Sequence, residues 1–323
     1  MDGDLSRVLV RVLNRLKLRR YDTPTSTKED GSELPLSLIV PPRLAANCAK
    51  TPPRRAWLRR LPGVVDELTK RWSLTLGPPF DGPEVSAAWV APATDADGGS
   101  AVLKISMPHF EAEQEAAGLR FWEGRPTVHL LDEDAASGAL LLERCEPGTW
   151  LRAAPEEEQD VVIADLLRQS WRTPGATHPF RPLSMMIHSW IAETEENEAA
   201  WPDPQLVREG LRVLQELASD RVDEVLLATD LHAGNVLRAQ RSPWLVIDPK
   251  PFVGDPAYDA TQHLINCESR MRAAPLATID RFAGLLDVDG DRVRRWMFAR
   301  AAAENRNDWH EDEWAAIARV LAF

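Results

Sequence analysis

A change of character at Glu146-Pro147-Gly148 constrains the fold of this chain more than any other feature. Before this break the sequence holds short apolar or alternating runs separated by turn residues, which are typical of β-strands. These runs lie at 73–77, 85–93, 100–106, 127–134 and 136–144, and one helical pattern lies among them at 109–122. The first part of the chain therefore predicts a small antiparallel sheet with one helix inserted before its last two strands.

After the break the patterns are mostly helical. They lie at 155–171, 182–199, 204–219, 256–271, 276–285 and 290–304. The strand-like runs in this part are VLLA, NVLRA and WLVID, and the last two are separated by QRSP, which predicts a hairpin of 236–238 with 244–247. We expect an α+β fold with two lobes: a β-rich N-lobe over 38–143, which opens with a helix at 52–72, and a mainly helical C-lobe over 149–323.

The composition fits a globular chain. With 323 residues and 44% hydrophobic content, the chain is long enough for two lobes that each bury a core. No uninterrupted apolar run of about 18 residues and no secretory pattern is present, so we expect a cytoplasmic protein that does not enter a membrane. Cys48, Cys145 and Cys267 show no CxxC spacing, which fits neither a disulfide framework nor a zinc site.

The charge is unevenly distributed along the chain. Residues 1–60 hold 13 basic and 6 acidic side chains, so this part carries +7 and the remainder −19 of the net −12. An acidic remainder argues against nucleic acid as a partner. It favours a cationic small molecule or serves ordinary solubility. We expect residues 1–37 to be a basic, partly disordered N-terminal extension, with a loose helix over 5–16 followed by a polar linker. A membrane-surface or targeting helix is the alternative.

The predicted hairpin carries three acceptor side chains. Asn235 lies just before its first strand, Asp248 just after its second, and Asp230 one tight loop upstream. If the strands pair, Asn235 and Asp248 project from the same end. Carboxylates in such an open arrangement suit Mg²⁺, which keeps several waters and is shared with substrate phosphates. The hairpin therefore predicts phosphoryl transfer assisted by Mg²⁺.

Six stretches in this order carry a resemblance to a known family. They are VLK (102–104), EQEAAGLRFW (113–122), ALLLERCEPG (139–148), DLHAGN (230–235), IDPK (247–250) and GDPAYD (254–259). Over about residues 38–320 the chain resembles the aminoglycoside phosphotransferases, which share the protein-kinase-like fold. The likeness is greatest to their streptomycin 6-kinase and hydroxyurea phosphotransferase branch.

The resemblance implies roles for named residues. Asp230 corresponds to the catalytic base, and Asn235 and Asp248 to the Mg²⁺ ligands. Lys104 corresponds to the lysine that holds the nucleotide phosphates, and Glu115 to its helix partner, with Glu111 or Glu113 as alternatives.

Residues 144–148 correspond to the hinge between the lobes. The Arg144 carbonyl and the Glu146 amide would meet the adenine edge there. The implied cofactors are ATP, with GTP as the alternative, and Mg²⁺.

The chain departs from the family pattern at two places. Ala228-Thr229 replaces the usual His-Gly, so a histidine that braces the catalytic loop is missing. The turn that should cover the phosphates, GPPFDGP at 77–83, lacks G-x-G-x-x-G, so fewer backbone amides are expected to reach the nucleotide.

Several polar residues have both a structural and a functional interpretation. His232 is expected to brace the loop as a hydrogen-bond donor. Asp255 is either a substrate contact or a helix cap. Glu304 and Asp308 either line a pocket for an amine or guanidinium or belong to a solvated face. DVDGDRV (287–293) has the wrong spacing for a calcium loop and favours a helix cap.

The sequence as a whole predicts a small-molecule kinase that phosphorylates a hydroxyl of an antibiotic such as streptomycin, or of hydroxyurea. A kinase of a metabolite alcohol is the alternative within the same class. A catalytically weak, pseudokinase-like nucleotide-binding module is the alternative from another class, suggested by the two departures. A protein kinase is disfavoured because GDPAYD follows Asp248 almost at once and leaves no room for an activation segment.

Overall fold

The computed structural model describes residues 38–82, 86–201, 203–304 and 311–323. The basic extension over 1–37 and the candidate substrate residue Asp308 lie outside these described residues.

The N-lobe is built on a five-stranded antiparallel sheet, as predicted. Its strands are β1 (Thr75–Leu76), β2 (Ala88–Thr94), β3 (Ser100–Ser106), β4 (Leu130–Asp134) and β5 (Ala139–Glu143). Their order is β1-β2-β3-β5-β4, so β3 lies at the centre. Its register pairs Val90 with Lys104 on one side and Lys104 with Leu140 on the other.

Alternation along β3 sends its side chains to two different layers. Ala101, Leu103 and Ile105 pack under helices α1 (Pro42–Ala49) and α2 (Pro52–Arg71). Val102 and Lys104 face the opposite layer, which holds helix α3 (Glu115–Trp122). Helix α1 was not predicted, and the predicted helix at 109–122 begins instead as a 3₁₀ turn over Phe110–Gln114. Lys104 therefore points away from the main N-lobe core and toward α3.

The C-lobe packs its helices around one large apolar core. The helices are α4 (Glu156–Ser170), α5 (Leu183–Glu196), α6 (Pro204–Ser219), α7 (Pro256–Asn266), α8 (Glu268–Ala273), α9 (Pro275–Leu286), α10 (Gly290–Ala303) and α11 (Glu311–Leu321). The single helix predicted at 256–271 is wrong, since the backbone leaves the helical conformation at Cys267 and divides it into α7 and α8. None of the helices over the described residues combines the length and apolarity needed to span a bilayer.

Two short strand pairs lie between α6 and α7. Strands β7 (Val236–Arg238) and β8 (Trp244–Val246) pair in antiparallel register, which confirms the predicted hairpin. Strand β6 (Val225–Leu227) pairs with β9 (Phe252–Gly254), a strand that the sequence analysis missed. These two pairs hold the loop 228–235 on one side and the turn 247–251 on the other. They bring Asp230, Asn235 and Asp248 to one place.

The link over 144–148 is fastened to the hairpin. The Gly148 amide donates to the Arg238 carbonyl at 3.0 Å, and the Arg238 amide donates to the Thr149 carbonyl at 2.8 Å. This pairing fixes the link against the C-lobe near the hairpin. Its role as a nucleotide-binding hinge, and the boundaries of the lobes on either side of it, stay predictions.

Candidate active site

A buried ion pair joins the central strand of the sheet to helix α3. Lys104 Nζ lies 2.6 Å from Glu115 Oε1 and 2.7 Å from Oε2. Both side chains are buried. The two alternatives to Glu115 lie elsewhere: Glu113 pairs with Arg181 at 3.1 Å, and Glu111 lines a cavity on the C-lobe side. Of the three glutamates predicted as possible partners of Lys104, Glu115 is therefore the one that pairs with it.

Asp248 lies where the two lobes meet. Its backbone is left-handed, with φ of 54°, and its Oδ1 contacts the ammonium groups of both Lys104 and Lys250. Burial acts to raise the pKa of Asp248, but the charges of Lys104 and Lys250 outweigh it and hold that pKa well below its usual range. Asp248 is therefore a carboxylate anion over the whole physiological pH range. Its place between two cations shows that the site stabilises positive charge next to this oxygen.

The loop after β6 orients Asp230 and Asn235. Asn235 Nδ2 donates to the Asp230 carbonyl at 2.9 Å, and the Asn235 carbonyl accepts from the Ile247 amide at 2.9 Å. The side-chain amide nitrogen of Asn235 is thus engaged with the loop, so its oxygen is the atom left for a metal. Together with Asp248, the chain presents the oxygen ligands that Mg²⁺ prefers.

A glutamine from helix α7 supports the Asp230 carboxylate. Gln262 Nε2 donates to Asp230 Oδ1 at 2.9 Å, and Gln262 Oε1 accepts from Arg300 Nη2 at 3.1 Å. An arginine can only donate, so Arg300 fixes which end of the Gln262 amide faces Asp230. The result is a directed chain of hydrogen bonds from Arg300 through Gln262 to Asp230.

The missing histidine of the loop is replaced by bracing from Asp259. Its Oδ2 accepts from the Ala228 amide at 3.0 Å, and its Oδ1 accepts from the Thr229 amide at 2.8 Å. Thr229 adopts a left-handed φ of 45° and donates its hydroxyl to the Lys250 carbonyl at 2.6 Å. Burial raises the pKa of Asp259 to about 6. Ala228-Thr229 thus departs from the family pattern without leaving the loop unbraced.

His232 also braces the loop, but with the opposite polarity to the prediction. Its Nδ1 accepts a hydrogen bond from the Gly234 amide at 3.1 Å. Burial lowers the pKa of His232 to about 4, which keeps the ring neutral and its nitrogen lone pair available. The expected donor is therefore an acceptor.

A cavity of about 270 Å³ opens beside Asp230. Its charged lining consists of Glu111, Glu193, Asp230, Lys250, Arg300 and Glu304. Four carboxylates therefore face two cations across this space. Arg300 is buried, binds Glu304 Oε2 at 2.7 Å, and lies 5.3 Å from the ring centres of both Trp190 and Tyr258. Much of the Arg300 charge is thus already balanced within the wall.

Two of the predicted substrate residues are placed by the structure. Glu304 lines the cavity, in agreement with the pocket interpretation. Asp255 does not line it: its Oδ1 accepts from the Ala257 amide at 2.9 Å as the cap of α7, and its Oδ2 accepts from Trp296 Nε1 at 2.6 Å. Arg292 also pairs with Asp255 at 2.5 Å. The helix-cap interpretation therefore holds for Asp255, whose carboxylate is buried against α10.

The turn expected to cover the phosphates offers few donors. The amides of Gly77 and Phe80 donate to the carbonyls of Pro92 and Val90 in β2, at 2.9 and 2.8 Å. Pro78 and Pro79 have no amide hydrogen. Residues 77–80 therefore contribute no backbone donor to a phosphate, as the missing glycine pattern predicts.

A second polar cluster lies outside this site. Asp160, His263 and Cys267 have ligand atoms within 4.8 Å of one another. Both oxygens of Asp160 already accept from Arg270, each at 2.7 Å, so positive charge is present without a metal. The DVDGDRV stretch is a helix cap, as predicted, because Asp289 Oδ1 accepts from the Asp291 amide at 2.9 Å.

Three residues of the site were not predicted from the sequence: Lys250, Gln262 and Arg300. Lys250 was within reach, since it follows Asp248 by two positions in the IDPK stretch that carries the family resemblance. Gln262 lies one helical turn beyond Tyr258 on α7, and Arg300 comes from a helix 38 residues later. No local pattern indicates that these last two side chains meet Asp230.

Comparisons with known proteins show which family the chain is similar to. A family model described as aminoglycoside/hydroxyurea antibiotic resistance kinase matches residues 71–312. The chain is 34% identical over 275 residues to hydroxyurea phosphotransferase of Kitasatospora aureofaciens, covering 83% of this chain and 79% of that protein. It is also 34% identical over 275 residues to streptomycin 6-kinase of Streptomyces glaucescens, covering 81% of this chain and 88% of that protein.

Solved structures share the fold at much lower identity. Choline kinase LicA from Streptococcus pneumoniae matches with a TM-score of 0.58 and 13% identity, covering 81% of this chain and 99% of that one. An ethanolamine kinase of Plasmodium vivax matches with a TM-score of 0.54 and 11% identity, covering 77% and 81%. The predicted two-lobed, protein-kinase-like fold is confirmed.

Proposed function

Because the chain belongs to the family of aminoglycoside/hydroxyurea antibiotic resistance kinases, we propose that this phosphotransferase transfers the γ-phosphate of ATP to a hydroxyl group of a cationic antibiotic of the streptomycin class. The observation that carries the proposal is the position of Asp230. Its carboxylate lines the acidic cavity, and the loop that holds it also holds Asn235 beside Asp248. A hydroxyl in the cavity would therefore meet a base and a nucleotide site together.

The residues divide the reaction between them. Asp230 accepts the proton of the attacking hydroxyl, held in orientation by Gln262. Asn235 and Asp248 would hold Mg²⁺, which would supply positive charge to neutralise the nucleotide phosphates. Lys104, fixed by Glu115, binds the α- and β-phosphates. Since little covalent chemistry falls to the protein, the rate gain comes from positioning and charge.

The nucleotide base is bound by the hinge. The Arg144 carbonyl and the Glu146 amide would contact the adenine edge through main-chain atoms, which side-chain identity does not affect. With no donor from residues 77–80, nucleotide affinity rests on Lys104, Mg²⁺ and the hinge. ATP is the proposed donor, and comparison of ATP with GTP at equal concentration tests this choice.

The charge of the cavity supports a cationic acceptor. Its lining has four carboxylates against two cations, and Arg300 is paired with Glu304 and lies 5.3 Å from the ring centres of Trp190 and Tyr258. An excess of negative charge in a partly buried cavity attracts ammonium and guanidinium groups more strongly than the same charges would in water. Hydroxyurea, which is neutral, is the second candidate. Hydroxyurea is a candidate because the chain is 34% identical in sequence to a hydroxyurea phosphotransferase.

The test is ADP release with Mg²⁺ and ATP in the presence of streptomycin, other aminoglycosides, hydroxyurea or simple amino alcohols. We expect turnover with streptomycin that disappears in Asp230→Asn. Asp223→Asn, an exposed aspartate shortly before β6, is the matched control and should keep full activity. Turnover with hydroxyurea alone would replace the proposed acceptor, and turnover with an amino alcohol alone would favour a metabolite kinase.

The same assay tests the alternative of a nucleotide-binding module without activity. ATP binding by calorimetry together with no turnover on any acceptor would favour that module over the kinase. We expect no phosphorylation of a peptide library, which would support dropping a protein kinase.

A further inference from the structure

Lys250 lies between the proposed base and the proposed metal ligand. Its ammonium contacts Asp248 Oδ1 on one side, and its side chain lines the acceptor cavity together with Asp230 on the other. The side chain is only 8% exposed. A buried cation at the boundary between a nucleotide site and an acceptor site is placed where the transferred phosphoryl group must pass.

The backbone of Lys250 is tied to the loop that carries the base. Its amide donates to the Ala228 carbonyl at 2.9 Å, and its carbonyl accepts the Thr229 hydroxyl at 2.6 Å. The Asp230 loop and Lys250 therefore form one unit. These bonds hold the Lys250 backbone against the Asp230 loop, and the buried side chain places its ammonium at Asp248.

The other two cations near the site, Lys104 and Arg300, each have a glutamate partner of their own. Lys104 has both oxygens of Glu115, at 2.6 and 2.7 Å. Arg300 has both oxygens of Glu304, at 2.7 and 3.3 Å. Lys250 shares Asp248 Oδ1 with Lys104, and its ammonium also donates to the Asp248 backbone carbonyl at 3.3 Å. A divalent cation at Asp248 would compete with both lysines for that carboxylate. Lys104 would keep its two hydrogen bonds to Glu115, whereas Lys250 would lose its carboxylate hydrogen bond to Asp248 and remain under the charges of Glu115 and Asp230.

We propose that Lys250 is a catalytic residue whose ammonium binds the transferring γ-phosphoryl group from the acceptor side. The inference rests on the proposed kinase function. The acceptor oxygen forms a bond to the γ-phosphorus while the bond from that phosphorus to the β,γ-bridging oxygen breaks, and the electron pair leaves with ADP. The hydroxyl proton passes to Asp230. Lys250 keeps its protons and neutralises the oxygens of the phosphoryl group between donor and acceptor.

This role separates catalysis from nucleotide binding. The phosphates of ADP are bound by Lys104 and the metal, so Lys250→Met should leave the Kd for Mg·ADP within about threefold of wild type. Its kcat should fall on the order of 100-fold, the usual effect of removing one group that stabilises transition-state charge. Lys250→Arg keeps the positive charge and should recover at least about tenfold over Lys250→Met, with Lys250→Gln as a second neutral variant if the methionine variant does not fold.

The first experiment compares the binding of Mg·ADP with that of Mg·ADP plus aluminium fluoride, which imitates the transferring phosphoryl group. Binding is followed by thermal shift and calorimetry. Wild type should gain stability from the fluoride, and Lys250→Met should lose that gain while it still binds Mg·ADP. Lys70→Met removes an exposed lysine on α2 and is the matched control.

Two results would overturn the role of Lys250. One is an unchanged gain from aluminium fluoride in Lys250→Met, and the other is an equal loss of Mg·ADP binding and of kcat, which indicates a structural role. If wild type phosphorylates no acceptor, the proposed function fails, while the comparison with aluminium fluoride still decides for or against Lys250.

Discussion

Two carboxylates in this protein, the buried Asp160 and the half-buried Asp248, are each surrounded by cations, and they differ in how the cations hold them. Asp160 is 1% exposed, and both of its oxygens accept from Arg270, with His263 at 2.8 Å and Arg281 at 3.1 Å. The Asp248 side chain is 36% exposed and meets two lysines at one oxygen. Arginine forks fix a carboxylate in place, whereas lysines act as point charges that can be exchanged for a metal. The first arrangement suits structure and the second suits function.

The largest expected effect is a loss of stability on removing the charge of Asp160. The sealed cluster consists of Asp160, Arg270, His263 and Arg281. Asp160→Asn removes the charge that balances Arg270 and the protonated form of His263, and should lower the free energy of unfolding by about 3–5 kcal/mol. Chemical denaturation measures this change. Asp165→Asn lies on the exposed face of the same helix and should change stability by less than about 0.5 kcal/mol. Equal stability of the two variants would contradict the structural role of Asp160.

For Asp248, the main expected effect of substitution is a loss of activity. Asp248→Asn removes the proposed metal ligand, so kcat should fall on the order of 100-fold or more while the protein stays folded. Steady-state kinetics at increasing Mg²⁺ concentration measures the loss and shows whether excess metal restores activity. A variant that keeps wild-type kcat at ordinary Mg²⁺ concentration would contradict the assignment.

A smaller effect is expected where a neutral residue supports a carboxylate. Gln262 gives Asp230 one hydrogen bond, whereas Asp160 is held by three ionic partners. Gln262→Met should lower kcat about tenfold through loss of one hydrogen bond of about 1.4 kcal/mol, with little change in the KM for ATP. Steady-state kinetics with whichever acceptor the ADP-release assay identifies measures this loss. A change confined to the KM for ATP would show that Gln262 acts on the nucleotide instead.

The smallest effect is a pH dependence of stability in the sealed cluster. Burial acts to lower the pKa of His263, but the hydrogen bond to Asp160 outweighs it and raises that pKa. Burial likewise acts to raise the pKa of Asp160, and the bonds from Arg270 and His263 outweigh it and lower that pKa. The His263 contribution is complete below its unfolded pKa of about 6.5 and is lost as the pH rises through the folded value.

The Asp160 contribution is present above its unfolded pKa of about 3.9 and is lost as the pH falls through the folded value. The ion pair of Asp160 with His263 should therefore contribute most to the stability of the folded protein between about pH 4 and 6.5. Cys267, Arg270 and His232 also face this ion pair and are unchanged in the test.

The measurement is the Tm of wild type and His263→Asn at pH 6 and pH 8.5. Between pH 6 and pH 8.5 the Tm of wild type should fall by more than the Tm of His263→Asn. His178→Gln, an exposed histidine, should behave as wild type does. Parallel pH curves for wild type and His263→Asn would refute the linkage.

Much of the fold followed from local patterns, and the misses have physical causes. Alternation and turn residues predicted the sheet and the hairpin because both depend on neighbours in sequence. Strand β9 was missed since its three residues follow Pro251 and pair with the distant β6. The break at Cys267 has no proline or glycine to announce it. There α8 turns so that Arg270 reaches Asp160, a contact across 110 residues.

The site likewise has features that the sequence predicts and features that only the tertiary structure reveals. The sequence alone determined the two-lobed plan, the hairpin that brings Asn235 and Asp248 to one end, and the family, because these depend on short motifs in a fixed order. Only the tertiary structure decided that Glu115 pairs with Lys104, that Asp259 braces Ala228-Thr229, and that Lys250 and Arg300 enter the site. Such contacts join side chains from distant elements, and their geometry is set by how sheet and helices pack, which no local pattern records.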